Sequence, residues 1–165
     1  TTLIYYRRGF LRFDTKSPLT SRTVISGDDA QIVFLGCCFV CNRKMMLQLN
    51  GFDEIYSPFY WEDADLAQRA LKSGFKLVYL PEARVYHKAS STIGNYRTYT
   101  LRRLVSNRNK FLFSWRHLGA RKIWLSHVPI TFFNLLFRWL VLDWKYYAAF
   151  FWASARKLKF SQRAV

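Results

Sequence analysis

The chain has 165 residues, of which 51% are hydrophobic and 19% aromatic, so it is long and apolar enough to bury a core as one domain. Its formal net charge is +16, and every acidic residue except Asp143 falls between Asp14 and Glu82. No internal repeat, low-complexity stretch or apolar run of membrane-spanning length is present, which excludes repeat proteins and a simple spanning helix. The uneven charge predicts a mixed-charge domain over residues 1–95 and a basic, aromatic helical region over residues 96–165.

Hydrophobic periodicity predicts short strands and helices in alternation, followed by longer helices. The predicted strands, in chain order, are residues 31–41, 76–80 and 84–87, with a strand-and-loop region at 1–13. The predicted helices are residues 43–49, 62–73 and 96–118, the last with a possible break near Asn107. Loops are predicted at residues 16–29 and 89–95. Asn50-Gly51 and Gly74 are expected to end the first two helices.

The cysteines Cys37, Cys38 and Cys41 cluster on the first buried strand and its end. A disulfide framework needs dispersed pairs, and a zinc site needs a second ligand pair at a suitable spacing. Neither pattern is present, so we expect buried free thiols in a reducing compartment.

The segment Trp61-Glu62-Asp63-Ala64-Asp65 places three carboxylates within four residues of an otherwise basic chain. It follows an aromatic run and opens the helix predicted over residues 62–73. Carboxylates on the first turn of a helix lie at the positive end of its dipole and tend to stay ionised. Such a carboxylate beside aromatic residues suits a general base for a hydroxyl nucleophile. A structural alternative explains the same residues by helix capping and an Asp65–Arg69 pair one turn apart.

The flanking segments give this motif its context. Upstream, small residues from Gly36 to Cys41 precede a short helix and Gly51-Phe52-Asp53-Glu54. Downstream, Gly74 leads into a strand, a proline, a second strand and His87. In this order and spacing, residues 36–87 resemble the C-terminal half of the catalytic domain of inverting glycosyltransferases of family 2. They resemble in particular the bacterial rhamnosyltransferase-like members that build cell-surface polysaccharides.

The resemblance implies an α/β fold. Residues 1–95 would be the C-terminal half of a nucleotide-diphospho-sugar transferase domain (GT-A, Rossmann-like), the acceptor and base half, followed by C-terminal amphipathic helices. The implied reaction transfers a sugar from a nucleotide diphosphate sugar to a hydroxyl of a saccharide or lipid-linked acceptor. It inverts the anomeric carbon through an oxocarbenium-like transition state.

Residue roles follow from the resemblance by position. Asp63 is implied as the catalytic base, and Glu62 is the alternative for the same role. Trp61 and Tyr60 would line the donor or acceptor sugar. Asp65 would hold the substrate-binding loop by hydrogen bonds.

Two further positions match the family, each with a structural alternative. His87 matches a histidine that helps to ligate a divalent metal at the diphosphate; imidazole suits Mn²⁺, whereas Mg²⁺ prefers oxygen ligands. Its alternative is a strand-end histidine bound to backbone. Gly36 would let the backbone approach the donor sugar closely, and its alternative is a glycine in a packed strand.

The family's nucleotide site lies in an N-terminal half that ends in Asp-x-Asp, and nothing before Gly36 supplies it. Asp28-Asp29 is a weak substitute in a polar loop, and no glycine-rich phosphate loop is present. We therefore expect a C-terminal fragment of a longer enzyme. On its own it is expected to bind nucleotide sugar weakly or not at all and to be inactive.

The C-terminal region, residues 128–153, is rich in aromatic and aliphatic residues but is interrupted by charges. On a single helix, one face would carry Asn134, Arg138 and Lys145, and Phe133, Leu136, Leu140 and Tyr147 would lie away from it. This pattern favours a helix lying on an anionic membrane surface, peripheral to the cytoplasmic face of the cell membrane. The alternative is a helical pair that packs on an N-terminal half.

Two other functions remain open. The basic helix with Arg102, Arg103, Arg108, Phe111 and Trp115 could grip nucleic acid by phosphate contacts and stacking. That function leaves the carboxylate cluster unexplained and no nucleic-acid motif appears, so we expect no nucleic-acid partner. The other is an inactive remnant that acts as a membrane-associated scaffold.

Overall fold

The computed structural model describes residues 2–14, 21–25, 32–33, 38–86 and 98–162. Its contacts divide the chain into two compact units. The first unit comprises Thr1–Tyr5, Phe13–Glu54 and Glu62–Asn95, and the second comprises Tyr6–Arg12, Ile55–Trp61 and Tyr96–Val165. The domain boundary expected near residue 95 stays a prediction.

The described strands are short and lie in two sheets. They are β1 (Thr2–Arg7), β2 (Phe10–Asp14), β3 (Thr23–Ile25), β4 (Ile32–Val33) and β5 (Leu77–Tyr79). One sheet has the order β2-β1-β4, and β3 pairs with β5 in the other. Thr2 lies opposite Val33 and Val24 opposite Val78, both in antiparallel ladders. These ladders are antiparallel, so they give no evidence of the Rossmann-like parallel sheet that the resemblance implies.

Strands β1 and β2 are joined by the two-residue turn Arg8-Gly9. Both residues have positive φ, 50° and 78°, as a type I′ hairpin turn requires. Gly9 also has little space around it, because a Cβ there would meet Ile130 Cδ1 at 3.1 Å. A side chain at this position would therefore meet both backbone strain and a steric contact.

The structure is mostly helical. Its α-helices are α1 (Arg43–Gln48), α2 (Glu62–Lys72), α3 (Tyr99–His117), α4 (Ala120–Lys122), α5 (Val128–Phe137) and α6 (Trp144–Gln162). Short 3₁₀ segments span Glu54–Tyr56 and Arg138–Val141, and a π-helical turn spans Ile123–His127. The helices predicted at residues 43–49 and 62–73 and the strand at 76–80 are confirmed.

Three secondary-structure predictions are wrong in detail. The loop predicted over residues 16–29 contains β3, which forms by pairing with β5 and so depends on a distant segment. Residues 84–86 are exposed and belong to no described strand, and His87, which ends that predicted strand, lies outside the described residues. Helix α3 runs without a break past Asn107.

In the first unit, α2 buries one face and ends as its sequence dictates. Ala64, Ala67, Ala70 and Leu71 recur at helical spacing and are buried. Gly74, at φ 82°, lies in a Schellman motif in which the Phe75 amide donates to the Ala70 carbonyl at 3.0 Å. The C-terminal end of the helix is therefore fixed by a specific cap.

In the second unit, α3 packs against α6 around an aromatic core. The ring of Phe111 meets Phe10, Tyr146 and Phe150 edge-on, with centroid distances of 5.0, 5.4 and 5.6 Å. Phe111 and Arg108 are both fully buried. Neither can reach a nucleic acid, although the nucleic-acid alternative assigned contacts to both.

A buried histidine joins the hairpin turn to these helices. Trp115 Nε1 donates to His127 Nε2 at 2.8 Å, so Nδ1 carries the proton and donates to the Gly9 carbonyl at 2.6 Å. Burial lowers the pKa of His127, which keeps the imidazole neutral and compatible with both bonds.

The single helix predicted over residues 128–153 is wrong. The chain turns at Leu142, whose φ is 50°, and so Lys145 lies on the next helix, α6, instead of extending the stripe of Asn134 and Arg138. Arg138 pairs with Asp143 and takes Asn134 Oδ1 as a second acceptor at 2.8 Å. Among the described helices, none is both long and apolar enough to cross a bilayer.

Candidate active site

The first turn of α2 carries Glu62, Asp63 and Asp65. Glu62 is half-buried, and its Oε2 atom is buried with no hydrogen-bond partner in the described part of the chain. Burial raises the pKa of Glu62, and the adjacent charge of Asp63 raises it further, against a backbone hydrogen bond that lowers it. A carboxylate with a raised pKa is a typical participant in acid–base chemistry.

Asp63 is also half-buried, and it remains within reach of solvent. Its Oδ1 atom accepts the Ala64 backbone N–H at 2.8 Å, which fixes the orientation of the carboxylate. Its position at the positive end of α2 favours the ionised form. An oriented, ionised carboxylate at a surface is able to accept a proton from an incoming hydroxyl.

Asp65 is fully buried and has a different environment. Arg69 Nε donates to its Oδ2 at 2.6 Å, while the two terminal nitrogens of Arg69 donate to the carbonyls of Leu49 and Gly51 at 2.6 and 2.7 Å. The guanidinium thus ties α2 to the turn that ends α1. With no exposed surface, Asp65 supports this turn and cannot touch a substrate in this conformation.

Tyr60 and Trp61, which directly precede Glu62, have φ values of 72° and 78°. Bulky L-residues rarely adopt this left-handed region, and each one costs of order 1–3 kcal/mol unless its surroundings hold it. Trp61 is buried, packs at a tilt with its ring centroid 5.0 Å from that of Phe113, and donates from Nε1 to Ser106 Oγ at 3.4 Å. Two consecutive strained aromatic residues are a typical feature of a functional site.

The side chain of Asn109, on α3, holds the loop that contains this strained pair. Its Nδ2 group donates two hydrogens to the carbonyls of Tyr56, Phe59 and Tyr60, at 2.6, 3.0 and 2.8 Å, so one hydrogen is shared between two acceptors. Asn109 is fully buried, so these bonds satisfy carbonyls that water does not reach. Its Oδ1 accepts from Arg108 Nε and Nη2 at 2.9 and 2.7 Å, so the amide joins the loop to the neighbouring guanidinium on α3.

Two arginines complete this arrangement, which we call the loop clamp: Asn109, Arg108 and Arg156. Arg108 Nη2 donates to the Ser57 carbonyl at 2.6 Å, and its guanidinium lies 4.3 Å from the Trp152 ring centroid. Arg156 Nε donates to the Ile55 carbonyl at 2.6 Å. Burial, with a smaller contribution from Arg156, lowers the pKa of Arg108 to about 10, so it stays charged at neutral pH.

Comparison with known proteins decides the family. Residues 14–157 match the sequence profile described as glycosyl transferase family group 2. The chain belongs to this family. It is also 47% identical over 58 residues to N-acetylglucosaminyl-diphospho-decaprenol L-rhamnosyltransferases from two strains of Mycobacterium tuberculosis, CDC 1551 / Oshkosh and ATCC 25618 / H37Rv. Each match covers 34% of this chain and 19% of the relative, so the aligned segment spans about a fifth of these relatives. No solved structure matches the chain significantly.

The glycosyltransferase site predicted from sequence is only partly described. Glu62, Asp63 and Asp65 lie on one helical turn of the first unit, and Tyr60 and Trp61 lie in the clamped loop of the second. Gly36 and His87 fall outside the described residues. Across the ranges that are described, no three His, Cys, Asp or Glu side chains converge as metal ligands.

The Glu62→Gln variant of the glycosyltransferase is expected to be more stable than wild type at neutral pH. Burial raises the folded-state pKa of Glu62 above its ordinary value of 4.5. Protonation of Glu62 therefore contributes its full stability to the folded protein below the ordinary pKa. That stability is lost as the pH rises through the folded-state pKa. Glutamine mimics the protonated form and removes this loss.

Thermal unfolding of the wild type and of Glu62→Gln, at neutral pH and at about pH 4, measures this effect. The variant should have the higher midpoint at neutral pH, and the gap should close in acid. Glu82→Gln, at an exposed position, is the matched control and should leave the midpoint unchanged. A gap that is equal at both pH values would contradict the pKa assignment.

Proposed function

We propose that this chain forms the acceptor- and base-bearing part of an inverting glycosyltransferase, which transfers a sugar from a nucleotide diphosphate sugar in cell-surface polysaccharide biosynthesis. The observation that carries the proposal is the Glu62-Asp63 pair at the positive end of α2, directly after the strained Tyr60-Trp61 loop. Family membership supports sugar transfer as the reaction class. The GT-A fold is part of the same proposal.

In this mechanism the Asp63 carboxylate takes the proton of the acceptor hydroxyl. The acceptor oxygen then forms a bond to the anomeric carbon while the bond to the leaving diphosphate breaks, which inverts the configuration. Glu62 is the alternative base. Tyr60 presents aromatic surface for a sugar ring, whereas Trp61, assigned the same role from the resemblance, is buried and supports the loop instead. The loop clamp fixes the position of Tyr60.

A divalent metal, Mn²⁺ or Mg²⁺, is part of the proposal through the family resemblance, with His87 as its ligand from this chain. When bound, such an ion would neutralise charge on the departing diphosphate. The residues that the structure describes form no ligand set for it, so its placement rests on the resemblance alone.

A lipid-linked or saccharide acceptor is the proposed partner of this site. The names of the relatives from Mycobacterium tuberculosis specify a sugar carried on diphospho-decaprenol, which is a lipid-linked acceptor. We extend that acceptor class to this chain. The corresponding location is the cytoplasmic face of the membrane, with the chain bound peripherally.

An exposed apolar surface in the second unit supports this location. Large apolar side chains between residues 124 and 144 stand open to solvent, and they include Trp124, Leu125, Phe132, Phe133, Trp139, Leu140, Val141, Leu142 and Trp144. So many large apolar side chains open to solvent within one short segment favour a binding face. Exposed Arg121 and Lys122 lie beside it in sequence and suit anionic lipid headgroups.

We expect the chain to float with anionic vesicles in a density gradient and to be released in part by about 0.5 M salt, because charge and apolar contact both contribute. The double variant Phe133→Ser, Trp139→Ser should float several-fold less well. Leu47→Ser, an equally exposed apolar residue on α1, is the control and should float like wild type. Failure of the wild type to float would favour the alternative in which this surface packs on protein.

Sugar transfer is the direct test of the function. The product of the complete reading frame that contains this chain is incubated with nucleotide diphosphate sugars and a lipid-linked acceptor. Product in the lipid extract, with the anomeric configuration opposite to that of the donor, is the expected result. Retained configuration would overturn inversion, and no transfer from any donor would overturn the function.

A further inference from the structure

A groove of about 360 Å³ lies beside the N-terminal half of α3, within the second unit. Its lining residues are Tyr60, Tyr99, Arg102, Arg103 and Ser106. Tyr60 belongs to the clamped loop and lies three residues before Asp63 in the chain. The groove therefore shares a residue with the candidate active site.

The groove is cationic. The guanidinium of Arg102 has no hydrogen-bond or ion-pair partner in the described ranges, and that of Arg103 lies 5.7 Å from the Tyr99 ring centroid. None of the lining residues is acidic, and the first turn of α3 carries no carboxylate. Positive charge that no side chain in the described ranges neutralises is available to an anion.

The lining residues offer hydrogen-bond donors as well as charge. A guanidinium presents N–H groups in a planar fork that matches the oxygens of a phosphate group. Ser106 Oγ accepts from Trp61 Nε1, which leaves its own hydroxyl proton to donate. Two guanidiniums and a hydroxyl suit two linked phosphate groups better than one, because each phosphate can accept hydrogen bonds from a different guanidinium.

We propose that this groove binds the diphosphate group of a substrate, through Arg102 and Arg103. The inference rests on the proposed function and deepens it, because a diphosphate occurs in both a nucleotide sugar donor and a lipid-linked acceptor. The exposed apolar surface of residues 124–144 belongs to the same unit as the groove, which favours a diphosphate carried on a lipid.

Isothermal titration of the full chain with inorganic pyrophosphate, in the presence of EDTA, tests the groove without catalysis and without metal-bridged binding. Wild type should bind pyrophosphate, and the double variant Arg102→Gln, Arg103→Gln should bind at least about tenfold more weakly. Lys44→Gln, Lys159→Gln removes the same charge from exposed positions outside the groove and should bind like wild type. The double lysine variant, Arg102→Lys, Arg103→Lys, should retain part of the affinity, since it keeps the charge and loses only the fork.

Farnesyl diphosphate and uridine diphosphate, titrated in the same way, distinguish the two sources. Tighter binding of farnesyl diphosphate assigns the groove to the acceptor, and tighter binding of uridine diphosphate assigns it to the donor. No binding of pyrophosphate by wild type, or equal loss in the groove variant and the charge-matched control, would overturn the proposal. The titrations measure no turnover, so they are independent of the sugar-transfer assay. Sugar transfer by a protein that does not bind pyrophosphate would overturn only the proposed diphosphate site. Pyrophosphate binding by a protein that transfers no sugar would overturn only the proposed function.

Discussion

The Asp63→Asn variant is expected to lose about three orders of magnitude in the rate of sugar transfer while it keeps its affinity for the donor. An amide has nearly the shape of a carboxylate but cannot accept a proton at neutral pH, and a positioned general base contributes roughly 10²- to 10⁴-fold to a rate. Asparagine retains an oxygen that can accept the Ala64 amide, so α2 should start as it does in wild type. Transfer is measured with the product of the complete reading frame, and donor affinity by titration.

The neighbouring carboxylate provides the internal control. Glu62→Gln removes the other candidate base, whose pKa is raised by burial, under the same assay. If Asp63→Asn retains turnover while Glu62→Gln loses it, the role of base belongs to Glu62. If both variants turn over like wild type, the Glu62-Asp63 pair is not the catalytic base, whatever the family of the chain.

Local sequence was enough to predict the elements that end in a specific cap. Helix α2 has an apolar stripe, acidic residues at its start and Gly74 after its end, and all of these act within one or two turns. Helix α1 ends at Asn50-Gly51, both at positive φ, for the same reason. The Glu62-Asp63 motif can be recognised from sequence because neighbouring acidic residues are unusual in this basic chain.

Local sequence does not predict elements that form by pairing with distant segments. Strand β3 is three residues long and exists because Val24 and its neighbours pair with β5, more than fifty residues away. The turn at Leu142 follows an apolar sequence without glycine or proline, and the Arg138–Asp143 pair spans it. No local periodicity distinguishes such a turn from a continuing helix.

The loop clamp is not predicted from sequence, because charged side chains are usually exposed. The sequence analysis places Arg108 on a basic surface, yet it lies with Asn109 between Val105 and Leu112 on the buried face of α3. The spacing 105, 108, 109 and 112 is that of one helical stripe. Polar residues inside an apolar stripe indicate buried hydrogen bonding, and that was the available signal.

The second large effect is expected from Asn109→Ala, which should lower the free energy of unfolding by about 3 kcal/mol. The substitution removes the donor to the Tyr56, Phe59 and Tyr60 carbonyls, and each buried group left without a partner costs about 1–3 kcal/mol. Urea denaturation of both proteins measures the difference. Asn107→Ala, two residues away on the same helix and only half-buried, is the matched control and should change stability by less than about 0.5 kcal/mol.

The same variant separates support of the loop from general stability. Tyr60 and Trp61 keep positive φ only while their surroundings hold them, so without the Asn109 amide this loop should relax first. Hydrogen exchange at residues 55–61 should therefore accelerate more than exchange at the buried core of α3, under conditions where both proteins remain folded. Equal acceleration along the whole second unit would mean that Asn109 stabilises the helical core and that other contacts hold the strained pair. Selective acceleration would make Asn109 a positioning residue, whose loss should reduce sugar transfer although it touches no substrate.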